Sequence, residues 1–465
     1  MEIFKSIEQV LNHINGIVWG PPLLILLVGT GVYFTFKLKL LQIFKLPLAI
    51  KYLFSKDDEE YDEDAKGDVS SFAALCTALS ATIGTGNIVG VATAIATGGP
   101  GALLWMWIAA FFGMATKYAE GVLAIKYREV DENGQMSGGP MYYIEKGLKN
   151  KNLAKLFAIF ASVAVFGIGN STQSNAIAGV LRDNFGISTL VTGLILSGLA
   201  AIVVVGGLAT ISKVTEKLVP FMSFFYILGS IWIIFLNRAN LIPSIESIFV
   251  GAFAPMSVAG GVVGLSIKQV MSAGVARGVF TNEAGLGSSP MAHASASTDH
   301  PVRQGLWGMT EVFVDTMVIC SLTALVILTT GVDRSVGVDA RTLVANAFSS
   351  TSSIGGLILS LGISLFAFST ILGWAYYGEL AISYLLGEGV KKYYRIIYVI
   401  FVFVGANMDL GLAWTVSNIL NGLMALPNLY ALIRLAPVLT RLEKDFFKDP
   451  MRIRKGSQEY QALLD

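Results

Sequence analysis

The chain has 465 residues, of which 54% are apolar and 14% are charged, and its formal net charge is +1. An ordinary soluble domain contains about 25% charged residues, so this composition predicts a chain that lies mostly in a lipid bilayer. A net charge close to zero provides no general attraction for a polyanion, which argues against nucleic-acid binding.

Hydrophobic segments recur along the whole chain, and a membrane span requires about 20 mostly apolar residues. By this measure the sequence predicts an all-α, polytopic membrane protein with eleven spans. The predicted spans cover residues 16–36, 70–96, 100–125, 155–181, 187–208, 214–236, 260–285, 306–330, 354–386, 392–407 and 411–435.

The segments between the spans also carry recognisable patterns. Residues 37–56 alternate lysines with leucine, isoleucine and phenylalanine, which predicts an amphipathic helix at the membrane interface. The acidic run Asp57–Asp64 follows and is typical of a solvated linker. Residues 241–256 and 340–350 are expected to form short elements that cap a cavity.

Lysine and arginine are concentrated in alternate loops, and such residues favour the cytoplasmic side of a membrane. The loop after the first span contains six lysines, and the loop after the third contains five basic residues. The opposite side holds Lys5, Arg182, Arg238, Arg334 and Arg341. This bias predicts a multi-pass protein of the cell membrane with its N-terminus outside and its C-terminus in the cytoplasm.

The second span is interrupted by Gly84, Gly86 and Gly90, and a similar stretch, Ser272–Gly278, lies in the seventh span. In lipid, an interrupted helix is tolerated only where the freed backbone groups face protein or a ligand cavity. Paired interruptions in two halves of a chain are typical of a transporter binding site. Glycines that merely permit close helix packing are the alternative, which is weaker for the cluster around Gly84.

The two predicted interruptions are five spans apart, and an odd separation inverts the orientation of the second copy. The sequence therefore predicts two inverted five-helix repeats, residues 70–238 and 239–435. The N-terminal helix, residues 1–36, is expected at the periphery, and residues 37–69 form the interfacial segment and linker. Residues 436–465 are predicted to form a cytoplasmic tail.

Three stretches resemble the alanine or glycine:cation symporter family, namely Gly84–Gly90, Gly98–Gly101 and Gly278–Pro290. The last contains the unusual run Thr-Asn-Glu-Ala-Gly-Leu-Gly, which makes the resemblance specific, and the resemblance covers essentially the whole chain. It implies a sodium-coupled carrier of small neutral amino acids in the amino acid, polyamine and organocation superfamily. It also implies the leucine-transporter fold of two inverted five-helix repeats.

An amino acid zwitterion brings a carboxylate and an ammonium into the membrane, and both groups need polar partners. Half-helix N-termini offer N–H groups to the carboxylate, while freed carbonyls accept hydrogen bonds from the ammonium. The candidates near the carboxylate are Ile83, Gly84, Thr85, Gly86 and Asn87. The candidate carbonyls near the ammonium belong to Ser272, Ala273, Gly274 and Val275.

The resemblance further implies a sodium ion between the second and ninth spans. The implied ligands are oxygen atoms of Ser80, Ile83, Phe366, Ser369 and Thr370. Carbonyl and hydroxyl oxygens form a plausible hard-oxygen set for such an ion. Alternatively, each hydroxyl bonds back to its own helical turn, as hydroxyls in membrane helices often do.

The fourth span is dense in polar residues, and Asn170 and Gln173 lie three residues apart on one helix face. Substrate contact and hydrogen bonding between helices are both open interpretations of this face. Phe166 and Trp374 are candidates for pocket walls that exclude large side chains. Either aromatic residue can equally belong to the core.

Ionisable residues within predicted spans are functional hypotheses by default. Glu311 and Asp315 lie four residues apart in the eighth span, and Lys117 and Glu120 lie in the third. A proton relay and structural ion pairing are both open for these groups.

Arg277 lies near the second predicted interruption and is expected to pair with Glu283 or with a carboxylate of the third or eighth span. His13, His293 and His300 fall at or outside the ends of predicted spans. The sequence therefore argues against a proton pathway built from histidines.

The leading hypothesis is symport of sodium with alanine or glycine by alternating access. A proton-coupled transporter or exchanger of the same fold is the alternative, and a channel is less favoured. The sequence contains no H-E-x-x-H metal pair and no G-x-S-x-G elbow, so an enzyme is not expected. The expected partners are a small neutral amino acid, co-transported sodium and membrane lipid, and the sequence indicates no oligomeric state.

Overall fold

The computed structural model describes residues 2–54, 66–253, 266–332, 338–408 and 411–448, and these are almost entirely helical. Strands β1 (Glu129–Val130) and β2 (Met136–Ser137) pair in antiparallel register. The helices are α1 (Glu2–Val18), α2 (Pro21–Lys37), α3 (Leu41–Phe44), α4 (Leu46–Phe54), α5 (Ser71–Thr82), α6 (Val89–Gly98), α7 (Ala102–Tyr127), α8 (Pro140–Leu148), α9 (Lys151–Ala164), α10 (Thr172–Phe185), α11 (Thr189–Val204), α12 (Gly207–Leu236), α13 (Leu241–Phe253), α14 (Ile267–Asn282), α15 (Pro290–His293), α16 (Pro301–Val312), α17 (Ser321–Thr329), α18 (Ala340–Thr351), α19 (Ser353–Leu386), α20 (Lys391–Asn407) and α21 (Gly411–Lys448).

Among the described residues, seven helical segments are long and apolar enough to cross a membrane, and a bent pair, α5 with α6, makes an eighth. The seven are Ile7–Lys37, Ala102–Tyr127, Lys151–Phe185, Gly207–Leu236, Pro301–Thr329, Ile354–Leu386 and Trp414–Lys448. The three other predicted spans correspond to α11, α14 and α20, which have 16, 16 and 17 residues. The fifth and tenth predicted spans are therefore short helices, and residues 260–265 of the seventh lie outside the described residues.

The N-terminal segment lies at the edge of the bundle, since 33% of its most apolar window is buried, against 78% for α7. It consists of α1 and α2, separated at Trp19 and Gly20. The Trp19 indole N–H donates to the Asn418 carbonyl oxygen at 2.9 Å, and the Asn418 amide donates to Asn15 at 2.8 Å. These bonds attach the segment to α21.

Two segments outside the predicted spans differ from expectation. The predicted interfacial helix of residues 37–56 is divided into α3 and α4, and the acidic run Asp57–Asp64 lies outside the described residues. Helix α21 continues past residue 436, where the predicted tail begins, and ends at Lys448. Helices α13 and α18 lie within the two segments predicted as capping elements, and residues 254–256 of the first segment lie outside the described residues.

The first predicted interruption is present. Helix α5 begins at a Ser70 N-cap and ends at Thr82, and α6 begins at Val89 after a short 3₁₀ turn, Thr85–Asn87. The two helices meet at an angle of 61°. Glycines at positions 84 and 86 allow the chain to leave and re-enter the helical path within a few residues.

The second interruption lies later in the chain than predicted. The prediction of a break at Ser272–Gly278 is wrong, because α14 is continuous to Asn282. The break follows at Glu283, Gly285 and Gly287, whose φ angles are 56°, 87° and 86°. Such left-handed backbone is readily adopted by glycine, so the helix ends here.

The glycines of α14 instead permit close packing against α7. A Cβ atom at Gly274 would lie 2.2 Å from the Ala102 carbonyl oxygen, and one at Gly278 would lie 3.3 Å from the Met106 Cα. Small residues at helix contacts are common in membranes because they let backbones approach. For the stretch Ser272–Gly278, the alternative interpretation, that its glycines permit close helix packing, is therefore the correct one.

We expect the Gly274→Ala variant to be destabilised by about 1–3 kcal/mol, because its new methyl group meets backbone that cannot move aside. Gly198→Ala in α11 is the matched control, since nothing lies within 4 Å of a Cβ there. Thermal unfolding of the purified variants in detergent measures the effect. Equal melting temperatures for the two variants would contradict this close approach of α14 and α7.

Candidate functional site

The interruption after α5 leaves two carbonyl oxygens without their helical donors. In a continuous helix the Gly84 N–H would bond to Ser80, but it donates to the Asn87 side-chain oxygen at 2.9 Å. Likewise the Asn87 N–H donates to the Gly84 oxygen at 3.2 Å and not to Ile83. The carbonyls of Ser80 and Ile83 are thus free to accept other partners.

Helix α19 supplies those partners. The Ser369 hydroxyl lies 3.3 Å from the Ser80 oxygen and 2.8 Å from the Phe366 oxygen. The Thr370 hydroxyl lies 3.3 Å from the Ile83 oxygen and 3.0 Å from the same Phe366 oxygen. The structure therefore brings all five predicted cation ligands into one buried cluster.

This cluster has more hydrogen-bond acceptors than donors. Three carbonyl oxygens share two hydroxyl groups, and each hydroxyl has one hydrogen to donate. A monovalent cation suits such a set, because it interacts with every oxygen lone pair and needs no neutralising carboxylate. Among the described residues, no group of three or more His, Cys, Asp or Glu side chains is arranged to hold a metal ion. The oxygens present therefore fit sodium.

The turn beside this cluster faces the fourth span. Thr85 and Gly86 are half-buried, and the Thr85 N–H lies 3.4 Å from the Gln173 side-chain oxygen. The Gln173 amide in turn donates to the Ile168 carbonyl at 3.0 Å, within a π-helical turn, Val165–Ser171. The structure thus places Gln173 at the interruption, as the sequence hypothesis of substrate contact requires.

Asn87 is directed away from the half-buried part of the turn. Its side-chain nitrogen donates to the Asp315 carboxylate at 2.6 Å, while its oxygen accepts from the Gly84 N–H. Asp315 belongs to a second π-helical turn, Phe313–Cys320, and also accepts from the Thr316 hydroxyl at 2.7 Å. The Asn87 side chain therefore fastens the interruption to the α16–α17 span.

Two other candidates do not reach the interruption. The Phe166 ring packs against α20, with its centroid 4.8 Å from that of Phe401. The Asn170 amide donates to the Tyr398 carbonyl at 2.8 Å, so it takes the helix-to-helix role. Trp374 is buried one turn beyond Thr370, where it covers Gly169.

Ser272, Ala273, Gly274 and Val275 lie within the continuous helix α14, away from either interruption. Their carbonyls accept the N–H groups of the next helical turn, which removes the basis for predicting that they bind an ammonium group. Ala273 packs on Gly98 of α6, with 2.8 Å between its Cβ and a Cβ placed at that glycine.

Sequence reasoning missed two residues at the end of α14. A Cβ at Gly86 would lie 3.3 Å from the Thr281 hydroxyl and 3.8 Å from the Phe280 ring. Thr281 is the first residue of the Thr-Asn-Glu-Ala-Gly-Leu-Gly run, and Phe280 directly precedes it. That run marked the position, but the predicted break at Ser272–Gly278 lies 5 to 11 residues before Glu283, which is about one and a half to three turns too early.

A buried ionic network lies beyond the second interruption. The Lys117 ammonium is 3.2 Å from one Glu311 oxygen, and His293 Nε2 is 2.9 Å from the other, all with fully buried side chains. Glu120 accepts from the Asn428 amide at 2.6 Å. The structure therefore pairs these groups with one another, and His293 lies in α15, between α14 and α16, with its side chain buried.

Arg277 and Glu283 are not paired with each other. Glu283 accepts a hydrogen bond from the Ser288 hydroxyl within the second interruption. The Arg277 guanidinium lies over the Phe280 ring, 5.9 Å from its centroid. The expectation of an ion pair between the two is wrong.

A family model and an individual relative both match nearly the whole chain. The model of the sodium:alanine symporter family matches residues 4–461. The Sodium/alanine symporter AgcS of Methanococcus maripaludis is 49% identical over 445 residues, covering 94% of this chain and 97% of that protein.

Two solved structures share the fold at low sequence identity. The crystal structure of MhsT in complex with L-phenylalanine has a TM-score of 0.56 at 12% identity, covering 81% of this chain and 98% of that chain. A manganese transporter of Eremococcus coleocola, crystallised with an aromatic bis-isothiourea substituted compound, has a TM-score of 0.52 at 14% identity, with 87% and 85% covered. The predicted leucine-transporter-like fold is confirmed.

We expect Asn87→Ala to destabilise the protein by about 1–3 kcal/mol, because the buried Asp315 carboxylate loses its amide donor. Asn407→Ala is the control, since that exposed amide bonds only to Phe403 of its own helix. Melting temperatures in detergent decide the matter. A loss no larger than that of the control would contradict the fastening role of Asn87.

Proposed function

The chain belongs to the sodium:alanine symporter family, and we propose that it couples the inward movement of sodium to the uptake of alanine and glycine. The protein is a multi-pass membrane transporter and not an enzyme. The observation that carries the proposal is the convergence of five oxygens from α5 and α19 at the first interruption.

In this proposal the sodium ion binds the carbonyls of Ser80, Ile83 and Phe366 and the hydroxyls of Ser369 and Thr370. The ligands come from two helices, so a bound cation would hold α5 and α19 together. It would replace the hydroxyl hydrogens that now point at those carbonyls. This linkage gives sodium a preference for the conformation in which both helices are close, which coupling requires.

We assign the substrate to the half-buried turn next to this cluster. The start of α6 favours the carboxylate, because the N-terminus of a helix carries unpaired N–H groups and a partial positive charge. Gln173 and Thr281 are positioned to contact the substrate from α10 and α14. The free carbonyls at the end of α14 replace those of Ser272–Val275 as acceptors for the ammonium.

Alternating access is supported because one end of the bundle contains a cavity, whereas the other end is closed by hydrogen bonds. A cavity of about 180 Å³ lies between α10, α18 and α19, and Val89, next to the interrupted turn, is part of its wall. At the opposite end, Arg128 donates to the carbonyls of Ala294 and Ala296 at 2.8 and 2.6 Å, and to Lys66. These bonds close the start of α5 against the segment after α15.

An ion pair also closes the end of the bundle at which Arg128 lies. The Lys391 ammonium lies 3.2 Å from the Asp131 carboxylate in the loop between β1 and β2. Burial alone would raise the pKa of Asp131, but the Gln135 amide and Lys391 bring it below its ordinary value. The pair therefore stays ionised at neutral pH. With the predicted orientation, we propose that this closed end faces the cytoplasm and that the N-terminus lies outside.

We expect Ser369→Ala to lower sodium-driven alanine uptake at least tenfold, because a cation ligand is lost and Ser80 keeps no partner on α19. Uptake of radiolabelled alanine and glycine into proteoliposomes, with and without an inward sodium gradient, measures this. Ser364→Ala is the matched control on α19, since that hydroxyl bonds only to Ser360 of its own helix. Uptake by the wild-type protein that follows a proton gradient and ignores sodium would overturn the proposal.

Gly84→Ala tests the same cluster without removing an oxygen. A Cβ at Gly84 would lie 2.6 Å from the Thr370 hydroxyl, whereas one at Gly90 would have nothing nearer than 3.9 Å. We therefore expect Gly84→Ala to raise the sodium concentration for half-maximal uptake about tenfold or more, and Gly90→Ala to leave it unchanged. Identical sodium dependence in both variants would contradict the proposed ion position.

A further inference from the structure

Arg277 lies on the face of α14 that packs against α6. Four residues earlier on this face, Ala273 contacts Gly98 at the far end of α6. Four residues later, Thr281 contacts the positions of Gly86 and Gly90 at the interrupted turn. Residues spaced by four share one side of a helix, so Arg277 lies along the α6–α14 contact, one turn before the candidate substrate site.

The Arg277 guanidinium has no anionic partner among the described residues. It is half-buried, it forms no ion pair or hydrogen bond there, and its contact is with the Phe280 ring. The segment before α14, residues 254–265, lies outside the described residues and contains no aspartate or glutamate. Within the described part of the chain Arg277 is thus a cation without a counter-ion, which is costly inside a membrane span and marks a functional position.

Phe280 connects this cation with the candidate substrate site. One side of its ring faces the position of Gly86, 3.8 Å from a Cβ there, and Arg277 lies 5.9 Å from the ring centroid. The ring therefore contacts both the guanidinium and the turn. A cation over an aromatic ring is held by a weak electrostatic attraction, so the guanidinium can exchange this contact for an anion.

We propose that Arg277 forms an outer subsite that binds the carboxylate of the arriving amino acid, with Phe280 in contact with both this subsite and the inner site. This inference rests on the proposed function and adds to it a determinant of substrate class. The subsite selects molecules with a free carboxylate, since guanidinium binds carboxylates by paired, charge-assisted hydrogen bonds. A carboxamide analogue offers one neutral oxygen, so the guanidinium binds it much more weakly.

The test compares alanine with alaninamide as competitors of radiolabelled alanine binding to the purified full-length protein in sodium. For the wild-type protein we expect alanine to bind more tightly than alaninamide. In Arg277→Gln the ratio of the two affinities should fall about tenfold or more, and in Arg277→Lys it should fall by less, because the charge is kept. An unchanged ratio in either variant overturns the inference, since a merely structural arginine would weaken both ligands equally.

Arg238→Gln is the matched control, because that exposed arginine also stacks on a phenylalanine three residues away, Phe235, at 5.1 Å. Its affinity ratio should equal that of the wild-type protein. In Ser369→Ala we expect alanine binding to lose its stimulation by sodium, while the ratio of the alanine and alaninamide affinities stays that of the wild-type protein. The sodium site and the Arg277 subsite therefore give separate readouts. Absence of sodium-stimulated alanine binding in the wild-type protein contradicts the proposed function, whereas sodium-stimulated binding with an unchanged ratio contradicts the role of Arg277 alone.

Discussion

The candidate site depends on one constraint, which is that backbone groups inside a membrane must find partners within the protein. When α5 stops at Thr82, the carbonyls of Ser80 and Ile83 lose their helical donors, and hydroxyls from α19 take the vacant places. The interruption thus does two things at once. It creates an oxygen-rich cluster, and it makes the contact between α5 and α19 depend on whatever satisfies that cluster.

The first interruption was predictable because its glycines are dense and have no packing role that would explain all of them. The second was misplaced because Gly274 and Gly278 look the same in sequence, although they face α7 and only let two helices approach. The glycines that end α14, at positions 285 and 287, are distinguished by positive φ angles. Backbone conformation of that kind follows from tertiary packing, which local sequence does not contain.

The cation ligands were predictable as a set because the family resemblance supplied the pairing of α5 with α19. The directions in which individual side chains point were harder to predict from the sequence. Asn87 was expected beside the substrate, yet it points to Asp315, and Phe166 turns outward to α20. Phe166 and the Asp315 partner of Asn87 both lie in π-helical turns, which alter the local helix geometry and leave no clear composition signal. Phe280 and Thr281 were missed for the related reason that the break was placed too early.

Helices α11 and α20 pack against each other on one flank of the bundle, and they have 16 and 17 residues. At 1.5 Å per residue each extends only about 24–26 Å, which is less than the roughly 30 Å of a typical hydrocarbon core. Leu194, Ile195 and Ile202 of α11 are exposed and face the lipid there. A span shorter than the hydrocarbon core is accommodated by a thinner bilayer, by snorkelling of flanking residues or by association with another protein, whereas the 30-residue helix α12 beside this flank requires no such adjustment. The thickness of the bilayer, and with it the length of the lipid chains, is therefore one of the forces acting on this flank of the bundle.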